Sequence, residues 1–340
     1  MQTIKRFLAA ASLAGALLPA AGAAQTLNAA GATFPAPIYT KWFSEYRAKT
    51  GVTINYQAIG SGGGIKNLQE QTVDFGATDG PMSDAEMAAA HGGPIVHVPT
   101  VLGAVTVTYN VPGVGSGLKL TPEVLGAIFN GTLRFWDDAH IRLANPGLAL
   151  PHRGIIVAHR SDGSGTTYIF TDYLSSASPM WRRTVGTGKS VSWPVGLGGR
   201  GNEGVAGLVK QTPGAIGYVE LAYANQNHLP VAAIRNRAGS FVLPTIESTT
   251  AAAAGVSLPA NSDLRISIVN GPGADAYPIA SFTWLIVYTR MADRAKAGAI
   301  VNFLGWALHD GQQYTRSLDY APLPASVVRG AEARIRLIQH

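Results

Sequence analysis

The chain has 340 residues, 46% hydrophobic and 14% charged, which describes a folded globular protein with room for two ordinary domains and excludes a disordered one. Its formal charge of +6 is modest, and no Lys/Arg run interleaved with aromatics marks a nucleic-acid surface. Cysteine is absent, which excludes disulfides, thiolate metal sites and cysteine nucleophiles, together with the lipid anchor that needs a cysteine at the cleavage site.

Residues 1–24 read as a secretory signal. Lys5 and Arg6 open it, Phe7 to Leu18 is apolar apart from Ser12, Pro19 breaks the run, and Ala21-Gly22-Ala23 is a small-residue cleavage pattern. Removing Lys5 and Arg6 takes the formal charge from +6 to +4, a slight bias toward anionic ligands. No later segment offers about 18 consecutive apolar residues, so the remainder is expected to be soluble and free in the periplasm.

Leu27 to Ala30 reads as a short strand. Ile38, Tyr39, Trp42, Phe43 and Tyr46 follow at helical spacing, with Pro35 and Pro37 at the first turn and Gly51 as C-cap. Thr33 and Phe34 therefore precede a helix start. Val52 to Ala58 alternates as a strand, Gly60-Ser61-Gly62-Gly63-Gly64 forms a turn, and Ile65, Leu68 and Gln71 begin a helix. Val73 to Thr78 is a short strand ending at Asp79, and Ser83-Asp84-Ala85-Glu86 has capping-box form. Val96 to Asn110 is a β-rich stretch long enough to pass from one domain into another. Thr121-Pro122-Glu123 opens a helix closed by Asn130-Gly131, and Asp137 or Asp138 can cap another.

Ile155 to His159 is a β-branched run, and Tyr168 to Leu174 is amphipathic. Between them stands Arg160-Ser161-Asp162-Gly163-Ser164-Gly165-Thr166-Thr167. A strand, a glycine turn and a helix place Ser164, Gly165 and Thr166 at unpaired N–H groups and the positive end of the helix dipole, a terminus suited to an anion. Arg160 adds a bidentate donor for phosphate or carboxylate oxygens, and the hydroxyls of Ser164, Thr166 and Thr167 add neutral ones. An ordinary turn with a serine cap accounts for the same residues equally well. A third glycine-rich loop, Gly196 to Gly204, leads to a helix near Val205 to Lys210. Ala215 to Val219 is a strand, Phe282 to Tyr288 a strong one, and Ala295 to Leu308 and Val327 to Ile338 are helices. Residues 225–280, with their alanine run 251–254, give no clear reading. Alternating strands and helices specify an α/β architecture.

Nucleotide and hydrolase motifs fail on inspection. A Walker loop needs glycine where Ile65 stands, and a nucleophile elbow around Ser61 or Ser164 lacks its flanking glycines. Gly196 to Gly201 matches G-x-G-x-x-G with Glu220 nineteen residues on, but Pro194 sits in the would-be strand, so a structural loop is the better reading. The histidine spacings give no metal pattern. The six tryptophans suit packing better than a sugar platform, though Trp42, Trp136, Trp181 and Trp193 keep that alternative open.

Asp79 is the most informative single residue. A capping role is its plain explanation. Beside an anion site it would instead accept a hydrogen bond from an anion that keeps a proton. Phosphate near neutral pH does so and sulfate does not, so the carboxylate would select the first and repel the second.

Several separated segments occur in one order: Ala30 to Pro37, Ile59 to Gly64, Val73 to Asp79, Arg160 to Thr166, Trp193 to Gly199 and Pro213 to Glu220. Together they resemble the periplasmic phosphate-binding proteins of high-affinity phosphate ABC importers, the PstS family, over nearly the whole chain after residue 24. The resemblance implies a two-lobed periplasmic binding protein of type II, with discontinuous lobes joined by crossover strands and the ligand in the cleft. It places residues 25–100 and 280–340 in lobe 1 and 101–279 in lobe 2, with 225–275 the least matched. It implies that Thr33, Phe34 (through its N–H), Ser61, Arg160, Ser164, Gly165 and Thr166 donate to phosphate, that Asp79 accepts the ligand's proton, and that Asp162 orients Arg160. It further implies a monomer without cofactor, metal or catalysis, delivering phosphate to membrane permease subunits. A secreted phosphatase using the same pocket, or a binding protein for another oxyanion, are the alternatives. Two departures are small: His159 precedes Arg160 where another basic residue is expected, and Gly62 replaces a second serine.

Overall fold

The computed structural model describes residues 25–254, 256, 258–259 and 262–340; the signal expected over 1–24 lies outside them. The first strand, β1 (Thr26–Gly31), leads through Thr33 and Phe34 into α1 (Ala36–Thr50). This helix buries Ile38, Tyr39, Trp42, Phe43 and Tyr46 as its spacing requires, and ends at Gly51 in the left-handed conformation, φ 79°. β2 (Thr53–Ala58) follows, then α2 (Ser61–Gln69), β3 (Phe75–Thr78) and the box-capped α3 (Asp84–Ala88).

The helix α2 begins at Ser61 itself, so Gly62, Gly63 and Gly64 lie inside it rather than in a turn before it. The reason is close packing. A Cβ on Gly64 would stand 2.5 Å from Gly31 Cα and 2.8 Å from the Ala77 carbonyl oxygen, so only glycine lets α2 settle onto β1 and β3.

The long β-rich stretch is a single strand, β4 (Ile95–Tyr109), buried throughout. Beyond it come β5 (Lys119–Leu120), α4 (Pro122–Phe129) capped by Thr121, α5 (Ala139–Ala144) capped by Asp138, β6 (Ile156–Arg160) and α6 (Gly165–Ala177) capped by Ser164. α7 (Pro179–Thr184), β7 (Leu197–Gly199), α8 (Gly201–Gln211), β8 (Ala215–Glu220) and α9 (Leu221–Gln226) follow. The third glycine-rich segment is thus a short strand pairing with β6, followed at once by a helix. Within 225–280 lie β9 (Ala233–Arg235), β10 (Phe241–Val242) and α10 (Ile246–Ala254), which absorbs the alanine run. β11 (Ala280–Tyr288), α11 (Arg294–Leu308) and α12 (Ala325–Ile335) complete the chain.

Eight strands form one mixed sheet in the order β2-β1-β3-β11-β4-β8-β6-β7, and β10-β9-β5 form a small second one. β4 changes partner along its length. It pairs antiparallel with β11 from Ile95 to Ala104, then antiparallel with β8 from Val105 to Tyr109. β1, β2 and β3 run parallel on one side, and β6, β7 and β8 on the other. The molecule is therefore a two-lobed α/β protein whose lobes share one central strand. Pro99 sits in that strand although it has no N–H to give the ladder. The register shifts beside it, between Thr283 and Trp284 of β11, which absorbs the missing donor as a bulge does.

Each lobe is filled with aromatic rings. Tyr39, Trp42, Phe43, Tyr46, Phe75 and Phe303 pack in the first; Phe129, Phe170, Tyr218, Trp181 and Trp193 pack in the second. Trp42, Trp136 and Trp181 are fully buried, so they are core and offer no sugar platform.

Candidate functional site

The sheet order brings three loops of the first lobe to face the β6–α6 connection of the second. β1 ends at Gly31, which carries Thr33 and Phe34 to the start of α1. The start of α2 presents Ser61, and the end of β3 presents Asp79. From the opposite side, β6 delivers Arg160 and the start of α6 delivers Ser164, Gly165 and Thr166. All eight are buried, and the two sets interlock. The Gly165 N–H donates to Ser61 Oγ at 3.0 Å and the Gly62 N–H to the Gly163 carbonyl at 2.8 Å, each bond crossing between lobes. The described structure is a closed cleft.

Asp79 is held on both oxygens. Thr283 Oγ1 donates to Oδ1 at 2.8 Å, and Ser61 Oγ lies 3.4 Å from Oδ2. Burial dominates its chemistry and pushes the carboxyl up to about 7, although Thr283, Arg160 and Ser61 favour the charged form. Near neutral pH Asp79 can therefore share a proton with its surroundings. Ser61 Oγ also accepts from the Asp79 N–H at 3.1 Å. With the Gly165 N–H this occupies both its lone pairs, leaving its own hydrogen to donate.

Arg160 has its fork clamped by Asp162: Nε to Oδ1 at 2.7 Å and Nη2 to Oδ2 at 2.5 Å. Burial opposes ionisation of Asp162, yet the Arg160 pairing outweighs it and holds this carboxyl below its usual range. The Gly201 N–H fixes Asp162 Oδ1 from the start of α8. Nη1 of Arg160 reaches Thr166 Oγ1 at 3.2 Å. Of five guanidinium hydrogens, three are thus committed, and one on each terminal nitrogen remains for a bidentate anion.

Ser164 Oγ accepts from the Thr167 N–H at 3.0 Å, the capping role its position allows, and the hydroxyl keeps a proton to donate. Thr167 faces away, bonded to Tyr218 Oη at 2.6 Å. Phe34 is buried with its ring edge-on to Tyr320, and its carbonyl accepts from Tyr320 Oη at 2.6 Å, which fixes the backbone of the first loop.

Two residues complete this cluster that no sequence signal singled out. Thr283 sits in the middle of a strand, where a threonine is unremarkable. Asn202 lies in the first turn of α8, one residue beyond the glycine-rich match, and is fully buried. Glu220, noted only for its distance from that match, is fully buried at the start of α9, where its carboxyl caps the Ala222 N–H and is pushed well up by burial. His97 is a satisfied core residue. Its Nε2 accepts from the Met82 N–H, and burial lowers its pKa to about 3. Among the described residues no group of histidine, aspartate and glutamate has the arrangement of a metal site.

The profile of the PBP superfamily domain matches residues 19–310. The phosphate-binding protein PstS of Pasteurella multocida is 44% identical over 312 residues, covering 92% of this chain and 90% of that protein. The phosphate-binding protein PstS of Haemophilus influenzae is 45% identical over 308 residues, covering 90% and 91%. Among solved structures, a high-affinity periplasmic phosphate-binding protein bound with phosphate superimposes with a TM-score of 0.75 at 21% identity, over 91% of this chain and 93% of that one. A putative phosphate ABC transporter substrate-binding protein with bound phosphate from Clostridium perfringens gives 0.65 at 16% identity, over 88% and 100%. At those identities the structural likeness speaks for the fold.

Proposed function

Because the chain belongs to the PstS phosphate-binding protein family, we propose that it captures inorganic phosphate between its two lobes and delivers it to the permease of an ABC-type phosphate importer. The observation that carries this reading is one buried carboxyl, Asp79, set among converging donors. Thr33, Phe34 and Ser61 come from one lobe and Arg160, Ser164 and Thr166 from the other, while the N–H of Gly165, the remaining residue expected to donate, is taken by Ser61 Oγ in the closed cleft. A site of donors alone would take any oxyanion. One proton acceptor among them favours the anion that keeps a proton.

The reading is of binding without catalysis. Ser61 Oγ accepts two N–H groups, so both its lone pairs are occupied and none is free for the attack that a phosphatase nucleophile makes. The lobes of the clamp are 25–100 with 280–340, and 101–279. The partner change at Ala104–Val105 and the Val105 N–H bond to the Ile279 carbonyl at 2.8 Å favour a hinge there. The stretch around Leu264 and Arg265 bridges the two. It takes the Trp284 indole N–H, and Arg265 pairs with Asp84, both from the first lobe. Ser267 meanwhile donates to Asp172 of the second. Export by residues 1–24 to the periplasm and action as a monomer belong to the same proposal.

Calorimetry on the phosphate-free exported protein tests it. Phosphate is expected to bind and sulfate to bind far more weakly; sulfate binding as tight as phosphate would overturn the role given to Asp79. Turnover of a chromogenic phosphate ester, with or without divalent metals, would replace this reading with the phosphatase.

A further inference from the structure

Asn202 occupies the point where the two lobes share hydroxyls. Its Nδ2 donates to Thr33 Oγ1 at 2.8 Å in the first lobe and to Thr166 Oγ1 at 3.2 Å in the second. Its backbone N–H donates to Thr33 Oγ1 as well, at 3.2 Å. The orientation of the amide is not ambiguous. Oδ1 takes the Glu220 N–H at 2.9 Å, and a backbone N–H accepts nothing, so the NH₂ group must face the threonines.

A hydroxyl has two acceptor sites and one hydrogen. Thr33 Oγ1 accepts twice from Asn202. Thr166 Oγ1 accepts once from Asn202 and once from Arg160 Nη1. Both oxygens are therefore filled as acceptors, and each remaining hydrogen must be given away. We infer that Asn202 is a positioning residue for the anion: it saturates the Thr33 and Thr166 hydroxyls as acceptors, one in each lobe, so that both serve as donors, within its own lobe at Thr166 and on closure of the lobes at Thr33. The inference rests on the phosphate reading above and says what sets the polarity of two of its contacts. Without Asn202 either hydroxyl can turn its hydrogen elsewhere, presenting a lone pair to the anion.

The chemistry predicts an unusual ranking. Asn202→Ala removes the donor and leaves room for water, which can still donate to the threonines. Asn202→Asp keeps the shape but replaces the donor with an acceptor, drawing both threonine hydrogens away from the ligand. The test is calorimetry with inorganic phosphate on the exported protein and both variants, with urea unfolding measured in the absence of phosphate. Affinity is expected to fall about 10- to 100-fold in Asn202→Ala and further in Asn202→Asp; the unfolding curves read separately the stability that Asn202→Ala loses when the Glu220 N–H is left without its acceptor, a loss Asn202→Asp avoids at that bond. In a Thr33→Val, Thr166→Val background, adding Asn202→Ala is expected to change affinity by less than about twofold, because the hydroxyls it orients are gone. Wild-type affinity in Asn202→Ala, an Asp variant that binds better than the Ala variant, or an undiminished Asn202→Ala loss in the threonine-free background would each overturn the inference while the phosphate reading stands. A wild-type protein that binds no phosphate would overturn both.

Discussion

Asp79 carries a property that follows from where it sits. Its carboxyl is pushed from 3.8 to about 7 by burial, a displacement worth about 4 kcal/mol. The raised value means the folded, ligand-free protein holds a proton that an unfolded carboxyl gives up. The stabilisation is full below about pH 3.8 and is lost as pH rises through about 7. Urea unfolding of the phosphate-free protein from pH 5 to 8 is expected to show this loss, and Asp79→Asn to lack that part of it. The same variant replaces an acceptor oxygen with an NH₂ donor, so the affinity ratio of phosphate to sulfate should fall at least about tenfold by calorimetry. An unchanged ratio would place selectivity elsewhere. Arg160 and Asp79 were legible because each ends a strand within a recognisable segment. Thr283 was not, because a lone threonine inside a strand has no signature until β11 is laid between β3 and β4.

At the scale of elements, the start of α6 is a jaw that fits against the start of α2. Ser164 caps the helix, and Gly165 occupies its first turn with ordinary helical geometry. Its lack of a side chain therefore serves approach rather than backbone freedom. A Cβ there would stand 2.5 Å from Ser61 Oγ and 2.6 Å from Asp79 Oδ2 across the cleft. Gly165→Ala should leave unfolding of the phosphate-free protein within about 1 kcal/mol of wild type, since alanine suits a helix. It should weaken phosphate binding on the order of 100-fold by preventing closure. Calorimetry paired with urea unfolding separates the two effects, and an alanine variant of normal affinity would show that the lobes need not meet this closely. The glycines of α2 have a related cause, yet in sequence they read as a turn. Glycine runs report that something comes close without saying what.

The whole molecule works through β4, which belongs to both lobes, and through contacts that form across the cleft. Lys189 of the second lobe reaches Glu86 at 2.9 Å and the Pro81 carbonyl at 3.0 Å in the first. Burial works against Glu86, but the Lys189 pairing lowers its pKa on balance. This partly buried side-chain pair closes the rim, while the Lys189 carbonyl accepts the Ser164 N–H at 2.8 Å, a backbone contact that an alanine at 189 keeps. Lys189→Ala is expected to speed phosphate release about fivefold in stopped-flow measurements, with phosphate-free stability shifted by less than about 1 kcal/mol. An unchanged release rate would remove this rim contact from the closing energy.

Local pattern alone determined the α/β class, the helix starts at Thr33-Phe34 and Ser164, and the Arg160 and Asp79 strand ends. These depend on periodicity, capping and glycine placement, which act over a few residues. Tertiary structure decided the rest. Only the folded sheet order brings residues 79, 202 and 283 around one point, so the partners of Asp79 and the orientation of the threonine hydroxyls lay beyond any local pattern. Burial is likewise a property of the assembled fold. The carboxyl that the sequence marks as an acceptor gains its proton affinity only when the fold buries it against Thr283 and Ser61.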